Sequence, residues 1–320
     1  MSEAPLIKII ILNWNNAPDT LECLKSVFQL SYDNFQVLVV DNGSEDDSVA
    51  RIRSSYPDVE ILETGSNLGY AEGNNIGIRQ AMQAKTDYIF VLNNDTLVAS
   101  NMLTELVEFA EARPEVGMVG PLMYCTDPAD TLFSTGGFID WRNGETRNRS
   151  MFQPQSAGKN SEQPESVHYI AGCGVLVRRG LIEIAGVLDT EYYLNFEDVE
   201  WGVRAWRYGF EVWYVPQAIM WHKISATLGQ ASPANTYYMT RNALLFFWRN
   251  APFHLRWLSI LSIIGRTLRT LGAWTLKADY RNDNFRSLRQ ANLLALRDFF
   301  LGRFGQMGPK VLAVCYPNRR

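Results

Sequence analysis

Cysteine is scarce in this chain. The four present, Cys23, Cys125, Cys173 and Cys315, form no C-x-x-C pair and no close cluster with any of the three histidines. Neither a zinc site nor a disulfide framework is indicated, and reduced thiols in a cytosolic protein are expected. Long apolar runs are missing as well: Leu258 to Ile264 is flanked by Arg256 and Arg266, well short of the ~20 residues of a membrane-spanning helix. The N-terminus passes from Met-Ser-Glu-Ala-Pro directly into Leu6 to Leu12, so no secretion signal is expected. G-x-G-x-x-G and the Walker phosphate loop are both absent, which removes support from dinucleotide redox chemistry and from P-loop phosphoryl transfer. With 47% hydrophobic and 20% charged residues, 23 Gly and 13 Pro in 320 positions, disorder, collagen and a coiled coil are excluded.

What is present is unevenly distributed. Residues 1 to 240 carry 16 Lys/Arg and 31 Asp/Glu, a net of -15, whereas residues 241 to 320 carry 14 and 3, a net of +11. The last quarter is therefore a different physical object from the rest. Along the acidic part, Leu6 to Leu12, Gln36 to Val40 and Tyr88 to Leu92 are β-branched apolar runs of strand length. Helical segments lie between them: Asp19 to Gln29 after Pro18, Asp46 to Ser55, and Ala71 to Ala84. Strand, helix, strand, helix, strand is the start of a doubly wound α/β fold with buried parallel strands. Such folds bind ligands at the carboxyl edge of the sheet. Further on we expect a helix over Asn101 to Ala112, a strand over Met118 to Tyr124, and a strand pair plus a long loop from Thr126 to Ser166. A helix should then follow Asn195-Phe196-Glu197-Asp198 as far as Tyr208, and Glu211 to Val215 should form a strand ended by a Pro216 turn.

Polar clusters leave the strand ends. Asp41, after Val37-Leu-Val-Val40, is placed to accept hydrogen bonds from a nucleotide, and is less well placed than Asp46 or Ser44 to cap the next helix. The stretch Gly65-Ser-Asn67-Leu-Gly69-Tyr-Ala-Glu-Gly73-Asn-Asn75 lets backbone approach a ligand closely. Asn93-Asn94-Asp95 follows a strand. Its carboxylate suits a hard divalent cation on phosphate oxygens, and its composition suits a β-turn equally. Glu197 and Asp198 open a helix, where acids favour the macrodipole and where a carboxylate can also act as general base. On that helix Trp201 and Arg204 are three apart and share a face. His222, a lone histidine, is more often packed than ligating unless other residues join it.

Taken in order, these elements resemble the family-two inverting glycosyltransferases of the GT-A fold, and most closely their rhamnosyltransferase-like bacterial branch. The resemblance runs from Ile9 to about Thr227. It rests on Ile-Leu-Asn13-Trp-Asn15, Val-Val-Asp41-Asn-Gly-Ser44, Asn67-Leu-Gly69-Tyr-Ala-Glu-Gly73-Asn-Asn75, Leu-Asn93-Asn-Asp95, Ala-Gly172-Cys-Gly174 with Arg178-Arg179, Phe196-Glu197-Asp198-Val-Glu200, and Trp221-His222-Lys223. The resemblance implies a GT-A catalytic domain over 1–236, its nucleotide-binding half about 1–125 and its acceptor half about 126–236, followed by a basic helical region over 237–320. Asn15, Asp41, Asn67, Gly69, Asn75 and Asn93 would line the nucleotide pocket. Asp95 would hold Mg2+ or Mn2+ against the donor diphosphate, and His222 would contact the metal or the diphosphate. Asn93 stands where the family's metal motif has its first aspartate, which removes one negative charge. Asp198 would be the catalytic base and Glu197 its partner. Gly172 and Gly174 would line the acceptor cleft, with Trp201 as a sugar-stacking wall and Arg204 on the same face. The implied reaction moves a sugar from a nucleotide diphosphate donor to a hydroxyl of a lipid-linked glycan in cell-surface polysaccharide synthesis. L-Rhamnose from dTDP-rhamnose is the first donor expected. UDP-linked galactofuranose, glucose or N-acetylhexosamine and a non-catalytic nucleotide-sugar scaffold are the alternatives.

In the basic region, Trp257, Ile260, Leu261, Ile264, Leu268, Leu271 and Trp274 recur at helical spacing among arginines. Such helices dock on anionic membrane surfaces without spanning them, which predicts peripheral attachment at the inner face of the cell membrane. A bundle packed on the acidic domain and a homodimer interface compete with that reading. Nucleic acid is disfavoured, since no binding motif accompanies the charge.

Overall fold

The computed structural model describes residues 4–148, 151–154, 162–223, 232–280 and 282–317. Parts of the expected long loop (149–150 and 155–161), the end of the family-like region near Thr227, and Arg281, Arg319 and Arg320 of the basic tail lie outside the described residues. Within them the chain divides into two compact units. One comprises 1–138, 148–189 and 197–224, and the other 139–147, 190–196 and 225–320.

The first unit is built on a mixed sheet. Strands β1 (Ile7–Asn13), β2 (Phe35–Asp41), β3 (Glu60–Glu63) and β4 (Tyr88–Asn93) are parallel in the order β3-β2-β1-β4. The Ile-rich β1 is buried on both faces, as continuous apolar runs in parallel sheets are. Helices α1 (Ala17–Val27), α2 (Ser48–Ser55) and α3 (Gly69–Gln83) make the connections. Helix α1 starts because Asn16 accepts from the Asp19 N–H and Pro18 fills the first turn. Helix α3 packs closely on the sheet: a Cβ at Gly77 would lie 2.7 Å from Ile10 and 2.9 Å from Val40.

Beyond β4 the sheet turns antiparallel. Next come β5 (Thr96–Val98), α4 (Met102–Glu111), β6 (Val116–Cys125) and β7 (Thr131–Ser134), then β8 (Gly137–Asp140), β9 (Glu145–Asn148), β10 (Gln153–Pro154) and β11 (Glu165–Ser166). They are followed by β12 (Gly174–Arg178), α5 (Arg179–Ala185), α6 (Glu197–Arg207) and β13 (Glu211–His222). Strand β12 inserts between β4 and β6, so the loop before it, with Gly172, meets the carboxyl end of β4. The stretch expected to hold one strand pair contains five short strands among its described residues. Pro216 is no turn. Strand β13 runs through it with a register shift between Val215 and Ile219, the kind of irregularity that tolerates a residue lacking an N–H. The continuation delivers His222 opposite Thr96 of β5, beside Asp95.

The second unit is helical, as the tail's periodicity predicts: α7 (Pro233–Asn250), α8 (Phe253–Leu276), α9 (Asp283–Phe300) and α10 (Pro309–Cys315). Two excursions join it. The segment 190–196 is fastened by Asn242, whose amide donates to the carbonyls of Tyr192, Leu194 and Asn195 at 2.8 Å each, and by the fully buried Arg241. The β8–β9 hairpin is held by Arg266, which donates to the carbonyls of Asn143 and Gly144 at 2.6 Å each. Among the described residues no helix is long and apolar enough to cross a membrane.

Candidate active site

The ends of β1 and β2 lie side by side, Asn13 opposite Asp41. Asn13 donates to Asp41 Oδ2 at 2.8 Å, the Ser44 hydroxyl donates to the same oxygen at 2.6 Å, and the Ser44 N–H donates to Oδ1 at 2.9 Å. Asp41 is buried, so its carboxylate chiefly shapes the loop around it and keeps little capacity for a ligand. Ser44 also accepts from the Asn15 N–H at 2.8 Å, and Asn15, at a positive φ of 50°, stands exposed at the lip. Asn42 ties the next loop down: its side chain accepts from Leu68 N–H at 3.0 Å and donates to the Gly69 carbonyl at 3.1 Å. Asn67 accepts from Gly69 N–H at 2.9 Å. Asn15, Asp41, Asn67 and Gly69 are thus brought to one sheet edge. Gly43 is obligatory there, since its φ is +74° and a Cβ would meet the Ser66 backbone at 2.4 Å.

Asn75 is not part of that edge. It is fully buried and clamps residue 188, donating to the Leu188 carbonyl at 2.8 Å and accepting from the Leu188 N–H at 2.9 Å. Asn93, half-buried at the end of β4, uses its backbone: its carbonyl accepts from Thr96 at 2.6 Å and its N–H donates to the Cys173 carbonyl at 3.0 Å.

Asp95 and His222 approach each other to 3.2 Å, Oδ1 to Nε2, without a hydrogen bond between them. Asp95 Oδ1 and both ring nitrogens of His222 are buried and unpartnered. Orphaned groups of this kind call for an explanation, and a cation accepting one carboxylate oxygen and one imidazole nitrogen supplies it. The donor set fits a divalent metal that takes its other ligands from phosphate and water. Among the described residues no group of three or more His, Cys, Asp or Glu forms a closed metal cage. Position is enforced from behind. The Lys223 N–H donates to the Asp95 carbonyl at 2.8 Å, and its ammonium bonds Asp19 at 2.6 Å on α1.

Asp198, in the first turn of α6, accepts from Gly172 N–H at 3.0 Å and from Val199 N–H at 2.8 Å. Burial raises its carboxyl above the usual range. Glu197 beside it is buried, keeps an unpartnered Oε2, and is raised further, by burial first and then by the charge of Asp198. Just before them Tyr193, Asn195 and Phe196 all have positive φ, at 64°, 67° and 76°. Strained backbone of this type clusters at functional sites.

Sequence reasoning passed over Tyr70. Its hydroxyl donates to the Gly172 carbonyl at 2.6 Å. Its pKa is raised well above normal by burial first, then by Glu197, Cys173, Asp198 and Asp95. Gly172 thus joins Tyr70 to Asp198, and the Asn93 N–H donates to the carbonyl of the next residue, Cys173, which gathers the Asp95 turn and Asp198 around one crevice at the end of β4. The only sequence cue was its place in the glycine-rich stretch.

Three expected acceptor residues are elsewhere. Trp201 is 1% exposed, in the core, and donates to the Gly186 carbonyl at 3.0 Å, so it offers no stacking wall. Arg204 is held by Glu200 at 2.6 Å and by the Ala185 carbonyl at 2.6 Å. Gly174 faces the interior, where a Cβ would lie 2.4 Å from the Met220 sulfur. Gly172 alone is at the crevice.

A sequence profile of Glycosyl transferase family 2 matches residues 8–184. The N-acetylglucosaminyl-diphospho-decaprenol L-rhamnosyltransferase of Mycobacterium tuberculosis is 26% identical over 277 residues, covering 79% of this chain and 88% of that one. The dTDP-rhamnosyl transferase RfbF of Shigella flexneri is 25% identical over 266 residues, covering 76% and 80%. Among solved structures, the mannosyltransferase PcManGT from Pyrobaculum calidifontis, in complex with GDP-Man and Mn2+, superposes with a TM-score of 0.59 at 16% identity, covering 94% of this chain and 89% of that one. That last likeness is one of fold.

Proposed function

Since the chain belongs to glycosyl transferase family 2 and is a glycosyltransferase, we propose that it transfers L-rhamnose from dTDP-rhamnose, with inversion, to a hydroxyl of a lipid-linked glycan in cell-surface polysaccharide synthesis. The donor is supported by the two rhamnosyltransferase relatives, and the lipid-linked acceptor by the name of the mycobacterial one. The single observation that carries the chemistry is the unpartnered Asp95 and His222 pair at the end of the strand whose neighbouring loop holds the Asp198 carboxylate through Gly172.

Displacement at the anomeric carbon places negative charge on the departing diphosphate and positive charge on the sugar. A divalent cation held by Asp95 and His222 would neutralise the diphosphate as it leaves. Asp198 takes the proton of the acceptor hydroxyl as its oxygen bonds the anomeric carbon and the bond to the diphosphate oxygen breaks. The raised pKa makes Asp198 a stronger base than a surface carboxylate. Glu197 beside it is also raised, by burial first and then by the Asp198 charge, so ionising both acids together is disfavoured. One displacement inverts the configuration. The exposed Asn15 and the loop at Asn67 and Gly69 would meet the nucleotide, and the enzyme would work peripherally at the inner face of the membrane.

Asp198→Asn tests the base. Transfer should fall ~100- to 10,000-fold while stabilisation by dTDP, UDP or GDP with Mn2+ persists. Turnover within a few-fold of wild type in a folded variant would sink the assignment.

A further inference from the structure

Helix α8 contains no acidic residue in its 24 positions. One side of it is committed: Ile260, Ile263 and Leu271 are buried, and Ser259 donates to the Trp141 carbonyl. Its other side is apolar and bare. Phe253 is 82% exposed, Trp257 60%, Leu261 63% and Leu268 55%. Their spacings of four, four and seven residues keep them on one stripe of a 3.6-residue helix. The stripe continues into a groove of about 620 Å³ between α8 and α9, lined by Leu268, Leu276 and Leu293 and by Arg286 and Arg289. Trp257 sits edge-on to Trp248, which in turn carries the Arg256 guanidinium at 5.6 Å.

The cations of this unit differ in their surroundings. Arg241 is fully buried, and Arg249, Arg266 and Arg297 are paired with Glu191, Glu145 and Asp298. Arg269, Lys277 and Arg286 are exposed and make no ion pair among the described residues. Arg269 lies on α8, Lys277 caps its C-terminal end and Arg286 lies on α9, while Lys310 on α10 is also exposed and without an ion pair among the described residues. Of the three acids in residues 241–320, Asp298 on α9 is buried and already paired, and Asp279 and Asp283 are exposed.

We propose that this face of α8 and α9 is the surface by which the enzyme lies on an anionic phospholipid bilayer, with Phe253, Trp257, Leu261 and Leu268 entering the interface and Arg269, Lys277 and Arg286 meeting lipid phosphates. The assignment rests on the membrane part of the function proposed above, and names the residues that perform it. Three observations select the bilayer as occupant. The apolar stripe carries aromatic residues of the type that settle at headgroup depth. Helix α8 itself carries no acid, and the exposed, unpaired Arg269, Lys277 and Arg286 outnumber the exposed Asp279 and Asp283 near them, a local positive excess that attracts anionic lipid over roughly a Debye length. The helix is not long and apolar enough to cross the membrane.

Co-sedimentation of the full-length protein with phosphatidylcholine vesicles, with and without phosphatidylglycerol, tests this. Wild type should pellet with the anionic vesicles, remain in solution with the neutral ones, and be released by salt. Leu261→Asp should weaken binding about ten- to a hundredfold, and Arg269→Gln, Lys277→Gln and Arg286→Gln together on the order of a hundredfold. Both sets change exposed side chains, and unchanged circular dichroism and melting would confirm their fold. Equal pelleting by the variants, or no preference for phosphatidylglycerol, would overturn the proposal. So would a wild-type dimer in analytical ultracentrifugation that Leu261→Asp dissociates while vesicles are ignored, since a second copy would then own the face. Stabilisation by dTDP or UDP with Mn2+, measured on the same preparations, separates the two readings. If it persists without vesicle binding, docking alone fails; if vesicle binding persists without it, the transfer assignment fails.

Discussion

Tyr70→Phe removes one oxygen and tests how the base is held. Gly172 is clamped on both sides of its Cα: its carbonyl accepts from Tyr70 at 2.6 Å and its N–H donates to Asp198 at 3.0 Å. A glycine has no Cβ to restrict it, so each clamp matters for where the N–H points. A side chain cannot replace that freedom, since a Cβ at Gly172 would lie 2.8 Å from the Tyr70 oxygen. Losing the phenol hydroxyl leaves the Gly172 carbonyl without its donor, at a cost of about 1–3 kcal/mol in stability. Misplacing a reacting group by ~1 Å costs up to ~100-fold in rate. We therefore expect kcat to fall about ten- to a hundredfold, with the donor KM changed by no more than about twofold. The assay is release of nucleotide diphosphate in the presence of a lipid-linked glycan acceptor. Because Tyr70 acts through Asp198, adding Tyr70→Phe to Asp198→Asn should not slow the residual reaction further. A kcat near wild type, or an equal loss in both backgrounds, would refute the reasoning.

Glu197→Gln should stabilise the protein at neutral pH by about 1–3 kcal/mol, because it replaces a buried, unpartnered acid. The Glu197 carboxyl is raised in the folded state, so its contribution is fully present below the ordinary glutamate range and is lost as pH rises through the folded value. Urea midpoints across pH should thus fall in wild type and fall less in the variant, and parallel curves would exclude this. Asp95→Asn should abolish the part of nucleotide stabilisation that depends on Mn2+ or Mg2+ and leave the chelator-resistant part; persistence of the metal effect in a thermal shift assay would remove Asp95 from the metal site. Gly174→Ala should cost about 1–3 kcal/mol through contact with Met220, and an unchanged denaturation midpoint would show that the strand relaxes.

The sequence was most legible where burial is symmetric. β1, β2 and β4 are continuous apolar runs because both faces are covered. β3, by contrast, is Glu-Ile-Leu-Glu on the edge beside β2, with no buried residue, and its charges hid it. Asp41, Asp95, Asp198 and His222 could be singled out as candidates because strand ends and helix starts present them in chain order. Trp201 was misjudged because three-residue spacing tells which residues share a face, not whether that face looks inward. Tyr70 was invisible for a related reason: its partner Gly172 lies 102 residues away, brought near only when β12 inserts beside β4.

The same insertion explains how a site with so few acids at the metal can work. On the proposed reading, Asn93 leaves Asp95 as the one carboxylate beside His222, and the pair supplies two ligands where a divalent cation takes about six or more. The remaining ligands must come from the diphosphate and water, so metal and donor each complete the site for the other, and their affinities are coupled by the same factor in both directions. A second aspartate at position 93 would strengthen the metal alone and weaken that coupling. The backbone at position 93 meanwhile donates to Cys173 and accepts from Thr96, whichever side chain stands there, and fixes the spacing between the strand that leads to Asp95 and the loop whose Gly172 contacts Asp198. The departing diphosphate and the attacking hydroxyl are in this way referenced to one rigid element, which is what a single in-line displacement requires.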